Sequence, residues 1–402
     1  MLTYLHLKNF KCFDALSLPL APLTVLTGFN GAGKSTSLQT LLLPAQTLRA
    51  GGRSLELSLN GALARLGTPG QVLRVRSPDE VLKEGMQSET LSLGIESDEA
   101  RLLWHFQAEN HNERRFLKNE RRFLKIHTID LYSSAGKETH SNIKAVNELL
   151  PTERNIPVSV RHLVTQLRKT IFLSAMRLGT AEVFPSPENP EPIYADVGLE
   201  GEFAPWWFLQ SDSADIDPKR YHHSTTYSDL RLQLNAWAST LFPEAEVNVQ
   251  PILQTSLTRL GLRIGKTEWR RPANIGYGLT YAFPILVAGL LAEREQILII
   301  DSPEAHLHPM GQSQIGRFLA KMAAAGVQIM LETHSDHVLN GIRLALRDGM
   351  ITPEQTQIHF FTPSKNAPVI SPQMDVQGNL SEWPVGFFDQ SEKDLAILAG
   401  WV

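Results

Sequence analysis

A chain of 402 residues, 42% hydrophobic and 20% charged, has the balance of a soluble globular protein and enough length for one large domain or two ordinary ones. Its formal net charge of −4 excludes a global positive field for nucleic acid or anionic lipid, so any such contact has to be a local patch. Cys12 is the one cysteine, which excludes an intrachain disulfide and fits a reducing cytoplasm.

The opening "MLTYLHLKNFKCF" has no apolar core of signal-peptide length and reads as a strand. A second strand, "PLTVLTG", runs into a helix pattern, "KSTSLQTLLLPAQTL". "LELSLNGALARLG" places Asn-Gly between alternating runs, the signal of a hairpin. "ETLSLGIES" and "ARLLWHFQA" are further strand patterns. Residues 112 to 118 then recur as 119 to 125, "NERRFLKNERRFLK", whose six basic and two acidic side chains leave a local charge near +4. This duplication reads either as a lengthened solvated hairpin or helix, or as a basic patch for phosphates or an acidic partner. One duplication does not make a repeat architecture.

"VSVRHLVTQLRK" and "SDLRLQLNAWASTLF" have helical spacing, with Pro157 and Pro243 as punctuation. The stretch between them, "GTAEVFPSPENPEPIYADVG", is rich in proline and acid and reads as loop. "LTYAFPILVAGLLA" (279 to 292) falls short of the roughly 20 residues needed to span a bilayer and reads as a buried helix, with Pro284 expected to make its first turns irregular. The last third alternates: strand "QILIID", a helix from about Gln312, strand "VQIMLET", a helix from Asp336, strand "QIHFFTP". Such alternation predicts a largely parallel sheet with covering helices. The expected organisation is an α/β head in two parts, 1–95 and 256–402, split by an inserted helical or mixed lobe at 96–255.

"GFNGAGKST" satisfies G-x-x-x-x-G-K-[ST] at Gly28, Gly33, Lys34 and Ser35, between an apolar strand and a helix. Gly28, Gly31 and Gly33 let the backbone take the dihedrals that wrap it around phosphates, with Phe29, Asn30, Ala32 and Thr36 completing the turn. Its N–H groups form an anion nest beside a helix N-terminus. Lys34 places a point charge at the β and γ phosphates, and the Ser35 hydroxyl is a magnesium ligand. The second half of the site is the apolar run ending at Asp301 in "QILIIDSPEAHLHP", since an acid there steadies the metal beside Ser35. ATP and Mg2+ are therefore the expected ligands.

"LKNFKCF", "LTVLTGFNGAGKST", "IIDSPEAHLHP" and "ETHSDHVLN" together resemble the ABC-type ATPases of the overcoming-lysogenization-defect and RecF-like group. "NIGYGLTYAFPIL" and "SEWPVGFFDQ" narrow this to a resemblance to the AAA-type ATPases named for a C-terminal domain of unknown function, DUF3696. The resemblance covers nearly the whole chain and is weakest at about 96 to 165. It implies an ABC-type P-loop ATPase head. Relatives in the wider group carry a glutamate after the metal-side acid as the base that activates water. Ser302 stands there, which implies slow hydrolysis, with Glu304 as the nearest substitute or as the holder of His306 or a loop. His334 matches the switch histidine that senses the γ-phosphate, and Glu332 is a second group for positioning water. His306 and His308 fall where relatives place an inter-subunit loop. Arg177 either contacts nucleotide or ties the insert to the head, and Gln71 has the place of a magnesium-sensing glutamine.

Asn274, Gly276, Gly278 and Thr280 occupy the place of the ABC signature, which caps the γ-phosphate held by a second subunit. The resemblance so implies a homodimer or larger assembly built from dimers, sandwiching nucleotide between chains. The expected function is a nucleotide-switched ATPase that controls a separate effector, such as a nuclease in bacterial anti-phage defence. The alternatives are a DNA-binding repair ATPase of RecF type and a scaffold that binds ATP without hydrolysing it. Neither a membrane segment nor long coiled-coil arms are visible, and the expected location is cytoplasmic.

Overall fold

The computed structural model describes residues 1–75, 89–110, 122–152, 155–188, 195–364 and 368–401. Most of the duplicated heptapeptide, including Arg114, Arg115 and Arg121, lies outside them. In chain order the elements begin β1 (Tyr4–Phe10), β2 (Phe13–Pro19), β3 (Leu23–Gly28), α1 (Lys34–Arg49) and α2 (Pro69–Val72). Then come β4 (Thr90–Glu96), β5 (Arg101–Asn110), β6 (Arg122–Ser133), β7 (Gly136–Ser141), β8 (Val146–Asn147), β9 (Leu150–Pro151) and α3 (Val158–Arg168). After β10 (Ile171–Leu173) and β11 (Val183–Pro185) the chain forms α4 (Ala204–Gln210), α5 (Leu230–Leu241), β12 (Ala245–Pro251), β13 (Leu257–Ile264) and α6 (Tyr277–Leu291). It closes with β14 (Ile297–Asp301), α7 (Pro309–Ala324), β15 (Gln328–Glu332), α8 (Asp336–Arg347), β16 (Thr356–Phe361), β17 (Val369–Ile370) and α9 (Gln390–Leu398).

Two units emerge, and the chain passes between them more than once. The first comprises Met1–Leu20 with Gly31–Thr170, the second Ala21–Asn30 with Ile171–Val402.

In the first unit, six antiparallel strands run in the order β2-β1-β4-β5-β6-β7. Period-2 alternation puts Leu5 and Leu7, Leu91 and Leu93, and Leu102, Trp104 and Phe106 into its core, while α1 and α3 pack on the sheet. The indole N–H of Trp104, fully buried, donates to the Leu149 carbonyl at 2.9 Å. The Asn-Gly segment closes a minimal hairpin: an antiparallel bridge joins Asn60 to Arg65, the Gly61 N–H donates to the Ala64 carbonyl and the Leu66 N–H to the Leu59 carbonyl, each at 2.8 Å. Gln46 of α1 keeps it short, because its amide reaches into the segment. It donates to the Ser58 carbonyl and accepts from the Ala64 N–H, so these backbone groups need no partner strand.

In the second unit, the order β10-β14-β15-β3-β16-β17 is parallel except for β17. Every residue of β15 is buried, as befits a strand covered on both faces. The register sets Asp301 beside Glu332, Glu332 beside Leu26 and Leu26 beside His359, so β14, β15 and β3 end at one edge. α7 begins at Pro309 rather than near Gln312, because proline suits the first helical position and His308 accepts from the Met310 N–H ahead of it. α6 runs unbroken through Pro284, contrary to the irregular start expected. The ring is accommodated at Gly201, where a Cβ would fall 2.4 Å from the proline Cγ. The small antiparallel sheet β11-β13-β12 belongs to this unit too.

Buried Arg220 ends α6 by donating to the carbonyls of Leu290 at 2.8 Å and Ala292 at 2.5 Å, two acceptors that a helix terminus leaves open. Arg220→Met keeps the apolar stem but strands both carbonyls. It should lower unfolding stability by about 2 kcal/mol in urea titration; a change below about 0.5 kcal/mol would show that they find other partners.

Candidate functional site

The glycine turn begins at the end of β3. Gly28, Gly31 and Gly33 all take positive φ, at 125°, 74° and 109°. At Gly28 the constraint is double, because a Cβ would also fall 2.2 Å from the Phe361 carbonyl oxygen of the neighbouring strand. Phe29 is exposed, its ring lies 5.8 Å from that of Phe360, and Asn30 beside it is exposed as well. Gly31, Ala32 and Gly33 carry the chain into the first unit, where Gly33 caps α1 without any side-chain hydrogen bond. The first turn of α1 holds no acid, so the charge there suits an anion. Lys34 and Thr36 are buried there and Ser35 is exposed. Gln71, also in the first unit, spends its side-chain oxygen on the Thr68 N–H at 2.8 Å, closing its own turn.

Asp301 is half-buried at the end of β14. The Ser302 hydroxyl donates to its Oδ1 at 2.9 Å, and the Ser302 N–H donates to the Glu332 carbonyl at 2.8 Å. Ser302 has φ of 50°, a left-handed conformation uncommon outside glycine, so the chain turns sharply right after the acid. Glu304 spans the gap to the next strand: its Oε2 accepts from the Thr333 hydroxyl at 2.8 Å and its Oε1 from the His334 N–H at 2.9 Å. Both carboxylate oxygens thus hold the loop that carries His334, the second of the two roles the sequence leaves open for this residue. His334 is exposed, while Glu332 is 6% exposed at the end of β15. α8 then starts at a Ser335 cap, which accepts from the N–H groups of His337 and Val338. The second unit therefore brings Asp301, Ser302, Glu304, Glu332 and His334 to the edge from which Gly28 departs. The hydroxyl of Thr333 is the partner that no sequence pattern singles out.

Asn274 and Gly276 are exposed ahead of α6, and Gly276, at φ of 100°, caps it with no side-chain bond. Gly278 packs tightly, as a Cβ would fall 2.8 Å from the Phe242 ring and 2.9 Å from the His306 carbonyl oxygen. Thr280 differs from its neighbours in this segment: it is 2% exposed and its hydroxyl donates to the Tyr277 carbonyl at 2.8 Å. His306, at φ of 61°, meets Tyr281 edge-on and Tyr277 at a tilt, with ring centroids 4.4 Å and 5.4 Å away. No group of three or more His, Cys, Asp or Glu arranged for a metal occurs among the described residues.

A largely parallel sheet, a glycine turn leaving one strand and an acid ending another two places away define a P-loop ATPase of the AAA and ABC type. The family described as "AAA domain, putative AbiEii toxin, Type IV TA system" matches residues 23–340, so the chain belongs to that AAA-domain family. Residues 351–398 match "Protein of unknown function (DUF3696)". Among curated proteins, the chain is similar to an OLD nuclease of Thermus scotoductus, 51% identical over 41 residues, or 10% of this chain and 8% of that protein. It is also 33% identical over 85 residues to the energy-coupling factor transporter ATP-binding protein EcfA of Methanococcus maripaludis, or 20% of this chain and 30% of that protein. The chain thus spans 8% and 30% of the length of these relatives. Solved structures of similar shape include an SMC head bound to the C-winged helix domain of ScpA, at TM-score 0.49 and 12% identity, covering 92% of this chain and 97% of that one. Another is the SMC head domain from Thermotoga maritima, at TM-score 0.42 and 11% identity, covering 93% and 99%.

Glu304→Ala removes the acceptor of two loop groups at once. Hydrogen exchange at the His334 amide should quicken at least about tenfold, with a stability loss of about 1–3 kcal/mol. An unchanged exchange rate would mean that the loop is held elsewhere.

Proposed function

We propose that the chain is an ATP-dependent switch that hydrolyses slowly and controls a separate effector protein. The observation that carries this reading is the shared strand edge, where Asp301 stands in register with Glu332, and Glu332 with the Leu26 that leads into the glycine turn. In open α/β sheets a ligand binds at the carboxyl ends of the strands. By the motif, the turn from Gly28 to Thr36 cradles the phosphates and Lys34 neutralises them. The donor set suits Mg2+: the motif offers the Ser35 hydroxyl and the Asp301 carboxylate, both hard oxygens, and magnesium keeps several waters rather than filling a protein cage. When bound it supplies charge neutralisation at the β and γ oxygens. Ser302 fixes one oxygen of Asp301, and the carboxylate would serve the metal's water shell.

Slow turnover follows from Ser302, Glu304 and His334. Ser302 has no carboxylate to accept a proton, and Glu304 is committed to Thr333 and the His334 N–H. Water activation is left to a carboxylate already serving as an acceptor, with His334, the match to the switch histidine, to sense the γ-phosphate. Ser302→Glu should raise kcat at least about tenfold. Unchanged turnover would place the base elsewhere.

The exposed pair Asn274 and Gly276, ahead of an uncapped helix start with no acid in its first turn, supports a second chain docking its nucleotide there. The buried hydroxyl of Thr280 makes this a backbone and Asn274 surface. Asn274→Arg should abolish ATP-driven dimers in size-exclusion chromatography with light scattering, while nucleotide affinity stays within about threefold. Lys34→Ala serves as the control that loses both. ATP-driven dimers that persist with Asn274→Arg would refute the sandwich. The similarity to an OLD nuclease, and a family described by a toxin of a type IV toxin–antitoxin system, support a nuclease-type effector in bacterial anti-phage defence, with the chain in the cytoplasm.

A further inference from the structure

Arg177 lies where three segments of the second unit meet: the loop after β10, the end of β14 and the first turns of α6. It is 4% exposed. Its Nη1 donates to the carbonyls of Ser174 and Asp301, each at 3.0 Å, and its Nη2 to the Ser302 carbonyl at 2.7 Å. The guanidinium carbon stands 5.3 Å from the ring centroid of Tyr281 on α6. Gly179 makes the packing possible, since a Cβ there would fall 2.4 Å from the Tyr281 ring and 2.7 Å from that of Tyr277. Burial lowers the Arg177 pKa to about 10, against the opposing pull of Asp301, Tyr281 and Glu304, so the group stays charged at neutral pH.

A buried cation is a costly way to fill space, and an apolar side chain would pack as well. What the guanidinium adds is geometry. Its planar fork grips two consecutive carbonyls, those of Asp301 and Ser302, and so fixes the peptide plane between the acid and the left-handed residue after it. The Tyr281 face holds the fork in turn. A second link runs beside it: His306, four residues beyond Ser302, meets the same Tyr281 ring edge-on. A shift at the amino end of α6 therefore reaches the backbone of Asp301 through half-buried Tyr281 and buried Arg177.

We propose that Arg177 is a positioning residue that couples the amino end of α6 to the setting of the Asp301 carboxylate. This rests on the reading of Asp301 as the metal-side acid. Docking of a second chain at Asn274 and Gly276 then regulates hydrolysis in the chain that owns α6, because it moves Tyr281, the guanidinium and the acid as one body.

The test uses the full chain with ATP and varied magnesium. Arg177→Lys keeps the charge but loses the fork. It should lower kcat at least about tenfold and raise the magnesium concentration for half-maximal turnover several-fold, with ATP affinity in EDTA within about twofold. A merely structural role would not separate magnesium response from nucleotide affinity. Tyr281→Leu keeps apolar volume and should shift both quantities in the same direction, more weakly, which preserves the test where Arg177→Lys folds poorly. If Asp301→Asn abolishes magnesium dependence while Arg177→Lys and Tyr281→Leu leave kcat and the magnesium midpoint within twofold, the coupling is overturned and the metal reading stands. If Asp301→Asn leaves magnesium dependence unchanged, both fall.

Discussion

The hydrogen-bond ladder of the second unit's parallel sheet is the constraint on which the rest depends. Parallel strands covered on both faces tolerate no slip, because a one-residue shift would turn buried side chains toward the wrong layer. The ladder sets Asp301 against Glu332 and Glu332 against Leu26. Residues more than 270 positions apart along the chain therefore end at one edge without any contact designed for the purpose. Asp301 and Glu332 are placed by where buried strands have to stop.

Past that edge the chain departs from regular structure in ways that need compensation. Ser302 and His306 both take left-handed dihedrals, and the loop between them would be loose without fixed partners. Three interactions supply them: Ser302 N–H to the Glu332 carbonyl, Glu304 to the Thr333 hydroxyl and the His334 N–H, and Arg177 to the carbonyls of Asp301 and Ser302. They are hydrogen bonds involving charged or backbone groups in partly buried surroundings, where such bonds are strong and breaking one side leaves the other stranded. The acid is thus held from below by its strand, from one side by Ser302 and from the other by Arg177.

Much of this frame is legible in the sequence, for stated physical reasons. Apolar runs ending in an acid or a glycine turn announce buried parallel strands, and β3, β14, β15 and β16 all appear where periodicity puts them. The spacing of Gly28, Gly33, Lys34 and Ser35 is specific because few other loops need it. What escapes is the work of side chains across long distances. Gln46 takes over the backbone groups of Ser58 and Ala64 and so shortens the hairpin expected at Asn60–Gly61, and no local pattern could reveal it. The start of α7 is carried by Pro309 and His308, a signal present in the sequence but easily outweighed by the apolar spacing that begins later. The burial of Thr280 depends on which way the first turn of α6 faces, which a glycine-rich segment leaves undetermined. The passage of the chain between units at 20–21 and 30–31 falls inside what reads as one strand, loop and helix, since covalent continuity masks a change of packing partner.

The absence of a carboxylate at Ser302 acquires meaning from the acid beside it. A carboxylate there could accept the proton of an attacking water, which a serine hydroxyl cannot. The serine donates a hydrogen bond to Asp301 instead. Under the switch reading, that exchange trades proton acceptance for a firmly oriented metal-side acid. A site so arranged favours holding nucleotide over consuming it. The lifetime of the bound state then follows from how long the triphosphate persists, which is the quantity a switch has to control and a fast hydrolase does not. Arg177 adds a route by which the amino end of α6 can adjust that lifetime, because the residue whose backbone it fixes is the one that Ser302 has left without a catalytic neighbour.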